Sequence, residues 1–345
     1  MRIAVLGLGF MGSTHLKALQ ALPGVEIAAL FSSDEAKLNG DLSGIQGNLG
    51  GPGGHFDFAQ VRKYREIEAL LADPSIDAVD ICLPTDLHAA VTIEALRAGK
   101  HVLVEKPMAL DAASAHKMVE EARRQERVLM TAHVLRFLPM YQVLRRRLES
   151  GELGAARWAM FRRRCAAPAW SAWLGDANRS GGGVFDLLIH DVDICLYLFG
   201  MPRTVSATGY EALGSGIDLI MAELHYPGLG TAFISGGWHH PKSYPFSMEY
   251  TIVADGGTFE YNSASGPPTL YLANGDREIL EAEETNGYAA ELQYFVDCCR
   301  TGTQPDLCAP QESAAAVALT RVLLDARNQN GEIIECNLWT TSKSA

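Results

Sequence analysis

Short apolar runs alternate with helix-period segments through the first third of the chain, and strand-like runs then follow one another with few helices between them. Ile3–Leu6 is a brief continuous apolar run, the pattern of a buried parallel strand. A helical pattern from Met11 to about Ala21 is stopped by Pro23-Gly24, and Val25–Phe31 reads as a second strand. Residues 78–83 read as a further strand closed by Pro84. A helical period follows over 87–97, with Gly99 placed as its C-terminal cap. His101–Val104 predicts a strand, 111–125 a helix with Asp111 as N-cap, and 128–131 a strand. This alternation predicts a parallel sheet with right-handed crossovers. Asn39–Gly54 breaks the pattern with seven glycines, and we read it as a mobile loop replacing part of the second helix and third strand.

Beyond about residue 150, seven strand-like runs (155–165, 204–210, 219–226, 231–238, 248–254, 258–261 and 269–272) are bounded by Gly, Pro and Asn. Two helical stretches, 288–300 and 310–328, close the pattern. Consecutive strands without intervening helices predict a mostly antiparallel sheet. The fold class is thus an α/β domain over 1–132 followed by an α+β domain over 133–345.

Gly7-Leu8-Gly9-Phe10-Met11-Gly12 is a G-x-G-x-x-G turn between a strand and a helix, the context of a Rossmann dinucleotide site. Gly7 allows the tight turn, Gly9 admits a pyrophosphate, and Gly12 lets helix and strand pack; Phe10 and Met11 supply the helix N-terminus. Where NAD sites carry an acid at the end of the second strand, this chain has Ser32-Ser33, with Lys37 one helical turn on. That set suits the 2′-phosphate of NADP. The competing reading is NAD, with Asp34 or Glu35 reaching the ribose.

Glu105-Lys106-Pro107 follows a strand at the sheet's carboxyl edge, where a lysine can stabilise a developing alkoxide. Gly181-Gly182-Gly183 precedes Asp186 and His190, which share one helix face at a spacing of four. A histidine beside a carboxylate can serve as a general acid–base near neutral pH. The plainer reading is a capping Asp186 and a core His190.

In combination these segments carry a resemblance. The chain resembles the glucose–fructose oxidoreductase/inositol dehydrogenase/MocA family. The match runs from the glycine turn through His88 and the stretch 95–107, then Arg136-Phe137-Leu138-Pro139 and the segment 181–193. The resemblance implies a cis peptide before Pro107 and a catalytic group of Lys106, Asp186 and His190. It also implies an open sheet face that makes dimers or tetramers, and an NAD(P)-dependent oxidoreductase acting on a sugar, inositol or related polyhydroxy compound. Further cofactor contacts are expected from Leu83, Pro84, Thr85, His88 and Glu105, and substrate contacts from Arg136, Trp173 and His239. Trp170, Trp238, His240 and Tyr288 are weaker candidates on the same side. Two departures stand out: Leu83-Pro84-Thr85-Asp86 where many relatives have Thr-Pro-Asn, and His133-Val134-Leu135-Arg136-Phe137 where many have Asn-x-Arg-Phe. Other functions in view are an NAD-dependent glycoside hydrolase with a retained cofactor and a non-enzymatic cofactor-sensing regulator.

A formal net charge of −12 disfavours nucleic acid as a partner. The arginine runs 145–147 and 162–164 read as solvated or subunit-facing patches. Seven scattered cysteines form no disulfide framework and no zinc motif, so we expect reduced thiols, a cytoplasmic setting and no metal. The apolar stretch 184–199 carries Asp186, His190, Asp191 and Asp193, so it is not a membrane span, and the first seven residues are too short an apolar run for a signal peptide.

Overall fold

β1 (Arg2–Leu6) is buried from Ile3 onward because it lies in the middle of a parallel sheet. The chain continues through α1 (Phe10–Ala21), β2 (Glu26–Phe31), the one-turn α2 (Glu35–Leu38), β3 (Arg62–Tyr64), α3 (Ile67–Leu71) and β4 (Ala78–Ile81). α4 (Thr85–Arg97), β5 (His101–Glu105), α5 (Ala112–Arg124) and β6 (Leu129–Ala132) complete the pattern. Strand order is β3-β2-β1-β4-β5-β6, all parallel. The order reverses at β1 and β4, the place where open α/β sheets bind ligands. This computed structural model describes residues 1–47, 53–168, 171–281 and 285–336.

The glycine-rich stretch differs from the sequence reading. A third strand does form, immediately after it, as an edge strand of Arg62-Lys63-Tyr64 with no apolar signal. The described part of the stretch also bonds to itself, Leu42 N–H to the Gly54 carbonyl at 3.0 Å and Phe56 N–H to the Gly40 carbonyl at 2.9 Å. Residues 48–52 lie outside the described residues.

A second unit begins with α6 (Pro139–Glu149), β7 (Ala156–Ala166), α7 (Ala177–Ser180) and α8 (Gly183–Phe199). Then come β8 (Thr204–Ala212), β9 (Ile217–Tyr226), β10 (Gly230–His240), β11 (Ser247–Ala254), β12 (Gly257–Asn262), β13 (Thr269–Leu272) and β14 (Arg277–Ile279). The last elements among the described residues are α9 (Gly287–Thr301), α10 (Pro310–Asn328) and β15 (Ile334–Glu335). This sheet runs β14-β13-β12-β11-β7-β10-β9-β8-β15 and is antiparallel except between β7 and β10. α8 packs on β7, β9 and β10.

Residues 285–314 belong to the first unit, although the sequence alone placed everything after 133 in the second. The reason is packing: Leu292, Phe295 and Val296 of α9 join Leu16 and Leu19 of α1 in one core. Among the described residues no helix is long and apolar enough to cross a membrane.

Candidate active site

The three glycines of the first turn divide the work. Gly7 has φ of +98°, and a Cβ there would sit 2.4 Å from the Cys82 carbonyl oxygen. A Cβ on Gly12 would lie 1.9 Å from the Gly7 oxygen, so α1 can approach β1 only with hydrogen at that place. Gly9, the N-cap of α1, is different: a Cβ there meets nothing within 4 Å, and no side chain caps the helix. The opening at Gly9, beside the first N–H groups of Phe10 and Met11, fits the pyrophosphate of a dinucleotide.

At the end of β2, Ser32 is buried and its hydroxyl accepts the Asp34 N–H at 3.1 Å, while Ser33 is exposed. The Asp34 carboxylate caps α2 by accepting the N–H groups of Ala36 at 2.9 Å and Lys37 at 3.3 Å. Register between β2 and β3 pairs Phe31 with Tyr64, and the next residue, Arg65, donates to the Ser33 carbonyl at 3.4 Å. Arg65 was missed in the sequence because nothing marked β3.

The exits of β4 and β5 lie side by side. His88 is fully buried, its two ring nitrogens each 2.8 Å from a carbonyl oxygen, those of Leu83 and Pro107. The ring sits between the Leu83-Pro84-Thr85 turn and the Lys106-Pro107 turn, and in its neutral form donates to one of the two carbonyls. Burial keeps its pKa below the usual imidazole value. The Lys106–Pro107 peptide is cis. Glu105 is buried, and its Oε2 accepts the Lys106 N–H at 3.0 Å. Lys106 itself is half-buried.

In the second unit, α8 is buried over its first three turns except at two positions, Asp186 and His190. These are the two residues singled out by spacing, and the fold leaves both half-buried on one face. A Cβ on Gly183 would come within 2.5 Å of the Trp238 indole, which explains a glycine at the start of α8. The start is held by Asp218 of β9, whose Oδ2 accepts the Val184 N–H at 2.9 Å and whose Oδ1 takes Arg327 of α10. A second anchor sits one residue past His190. Arg163 of β7 donates to both carboxylate oxygens of Asp191, at 2.8 and 3.0 Å, with both side chains buried. Arg163 is thus no surface patch; only Arg162 and Arg164, which pair with Glu249, are partly exposed.

The remaining expected substrate residues are placed as follows. Arg136 is fully buried, and its Nη1 donates to the Leu307 carbonyl at 2.9 Å and to Glu312 at 2.5 Å within the first unit. Trp173 is half-buried in a short 3-10 turn. His239 and His240 at the end of β10 have ring centroids 4.0 Å apart, and His240 stacks on Tyr244 at 3.7 Å. Burial lowers the pKa of both histidines. Trp170 lies outside the described residues.

Residues 1–133 match the family model described as an oxidoreductase family with an NAD-binding Rossmann fold, and residues 141–260 match the GFO/IDH/MocA C-terminal domain. The chain belongs to the GFO/IDH/MocA oxidoreductase family. Its relatives include myo-inositol 2-dehydrogenase of Thermotoga maritima, 30% identical over 88% of this chain and 90% of that protein. Another is scyllo-inositol 2-dehydrogenase (NAD(+)) of Bacillus subtilis, 28% identical over 88% of each chain. In fold it is similar to aldose-aldose oxidoreductase of Caulobacter crescentus, with a TM-score of 0.83, 22% identity, and 97% and 99% of the two chains covered. This GFO/IDH/MocA oxidoreductase therefore carries its NAD-type turn on the first unit and its Asp186–His190 face on the second.

Proposed function

We propose that this oxidoreductase transfers hydride between a secondary alcohol of a sugar, inositol or related polyol and NADP. The observation that carries the reading is the exposure pattern of α8, where Asp186 and His190 are left half-buried on an otherwise enclosed helix start. The bound nicotinamide ring would supply the hydride acceptor. His190 takes the hydroxyl proton, Asp186 sets the orientation of the imidazole, and Lys106 favours the alkoxide through its charge. The curated relatives support the substrate class, since they are named as inositol dehydrogenases. Exposed Ser33 with Lys37 and Arg65 nearby, and an Asp34 occupied in capping α2, support NADP over NAD.

The outer face of the second sheet carries exposed Tyr210, Met221, Tyr271 and Ile279, which supports a homodimer or homotetramer through that face. Seven cysteines, none of them in a disulfide, support a reducing, cytoplasmic setting. The test is a panel of sugars and polyols assayed by nicotinamide absorbance with both cofactors. Oxidation of a polyol with formation of NADPH is expected. Release of an aglycone from a glycoside without net reduced cofactor would replace this reading with the glycoside hydrolase, and cofactor binding without turnover of any of the panel would leave the regulator.

A further inference from the structure

Beneath the glycine turn, α1 carries a histidine that the proposed chemistry does not use. His15 is 0% exposed, three residues beyond Gly12. Its Nδ1 lies 2.9 Å from Asp80 Oδ2 and 3.1 Å from Oδ1, and its Nε2 lies 3.2 Å from Glu105 Oε1. Asp80 on β4 is also 0% exposed, and Glu105 ends β5. One imidazole is therefore enclosed between two buried carboxylates on neighbouring strands. A protonated ring hydrogen-bonds Asp80 through Nδ1 and sets its positive charge 3.2 Å from Glu105 across Nε2, neutralising one of two charges that burial would otherwise make costly.

We propose that His15 is a positioning residue for Lys106: its ring bridges Asp80 and Glu105, and Glu105, so held, fixes the backbone N–H of Lys106. The proposal rests on the reading of Lys106 as catalytic. The chain of contacts is continuous, because the Glu105 oxygen not facing His15 accepts the Lys106 N–H at 3.0 Å. The titratable groups facing the ring are Asp80 of β4, Cys82 just beyond it, Glu105 of β5 and Tyr288 of α9, whose ring centroid is 6.2 Å away; the Lys106 charge acts on Glu105. Burial opposes charge on His15, but Asp80 outweighs it and raises the ring's pKa well above the usual value. Burial likewise works to raise Glu105, yet His15 and Lys106 hold it below the usual carboxylate range. Burial pushes the Cys82 thiol up, so it stays neutral and adds no third negative charge. The ligand atoms of His15, Asp80 and Cys82 also fall within 4.8 Å of one another, but a ring protonated on both nitrogens has no lone pair for a metal.

The experiment follows the Lys106 amide proton by NMR in the whole protein, with no substrate required. In the wild type its shift is expected to stay flat between about pH 5 and 9, because Glu105 remains ionised throughout. In His15→Gln the carboxylate loses its cation, its pKa climbs by about 1–3 units, and the amide shift acquires a titration in that range that His15→Gln/Glu105→Gln lacks. Turnover of the polyol oxidised fastest by the wild type should fall about 10²-fold in His15→Gln at neutral pH and recover partly as pH rises, with cofactor affinity retained. A loss of turnover equal at every pH, or a flat amide shift in His15→Gln, overturns the proposal. Should His15→Gln fail to fold, the wild-type ¹⁵N shifts of His15 decide: a singly protonated ring at about pH 7 refutes the bridge. If Lys106→Met keeps full turnover, the catalytic reading fails while the amide titration still reports on the bridge.

Discussion

Asp218 accepts the backbone N–H of Val184 at 2.9 Å, closing the first turn of the helix that presents Asp186 and His190. The contact spans 34 positions in sequence and replaces a local N-cap, since Gly182 has no side chain to offer. The same carboxylate receives Arg327, which is buried and also donates to Glu211 at 2.6 Å. One aspartate thus fixes both the helix start and a buried guanidinium.

Asp218→Ala should therefore lower stability by about 1–3 kcal/mol, because it leaves the Val184 N–H without its acceptor and buried Arg327 with the Glu211 carboxylate alone. Asp218→Asn keeps an acceptor for the amide and should lose less. Urea denaturation of the two variants gives the comparison; equal, small losses would show that Glu211 alone suffices for Arg327.

Replacing Lys106 by Met or His190 by Ala should each reduce kcat about 10²–10⁴-fold with cofactor affinity nearly unchanged. The double variant should lose much less than the product of the two factors, since residues acting on one proton and one oxygen behave as a unit. His190→Ala should also flatten the pH dependence near neutrality. Near-normal turnover in His190→Ala would make that residue structural.

NADP(H) should bind more tightly than NAD(H), and Arg65→Ala should weaken NADP(H) about tenfold or more, the worth of one charge-assisted hydrogen bond, while leaving NAD(H) alone. Calorimetric titration of both cofactors tests this. A preference for NAD(H) in the wild type would mean that Asp34 leaves its cap to meet the ribose.

Asp73 makes a pH-dependent contribution to the first unit. Its carboxylate accepts from Ser75 N–H at 2.9 Å, Ser75 Oγ at 2.6 Å and Tyr64 Oη at 2.8 Å, and hydrogen bonds from Ser75 hold its pKa far below the usual carboxylate range. A depressed folded pKa means stability that is present above the unfolded value near 4 and lost as pH falls through the folded one. Asp73→Asn should be about 1–3 kcal/mol less stable than wild type at neutral pH, and the gap should narrow as pH is taken below about 4. Chemical denaturation at the two pH values measures it; a gap independent of pH would assign the loss to packing.

Legibility in the sequence followed the range of each interaction. The parallel core strands, the strands of the second sheet from β7 to β13, and the Asp186–His190 face could all be read because apolar runs and four-residue spacing are local signals. β3 could not, because an edge strand of Arg62-Lys63-Tyr64 buries too little to need apolar residues. The partners of His15 and Arg163 were also hidden. Asp80 and Glu105 lie 65 and 90 positions from His15, and nothing near Arg163 announces Asp191. The assignment of α9 to the first unit depends on its packing with α1, which no periodicity within α9 specifies.

The three consecutive arginines of β7 have a consequence for how that strand can pair. Its inward positions are Ala159, Phe161, Arg163 and Cys165, and only the middle arginine finds a carboxylate on α8. Moving the strand by one residue would still set an arginine before Asp191. It would also drive Arg162 into the place of Phe161, or Arg164 into the place of Cys165, where the sheet offers apolar neighbours. Each misaligned pairing thus buries a second guanidinium with no counter-charge, in addition to turning the whole apolar set outward. The flanking arginines make the alignment of β7 a choice between one neutralised buried charge and that charge with a second, unneutralised one beside it, and so the segment 162–164 acts as a lock on strand registration as much as a source of surface charge.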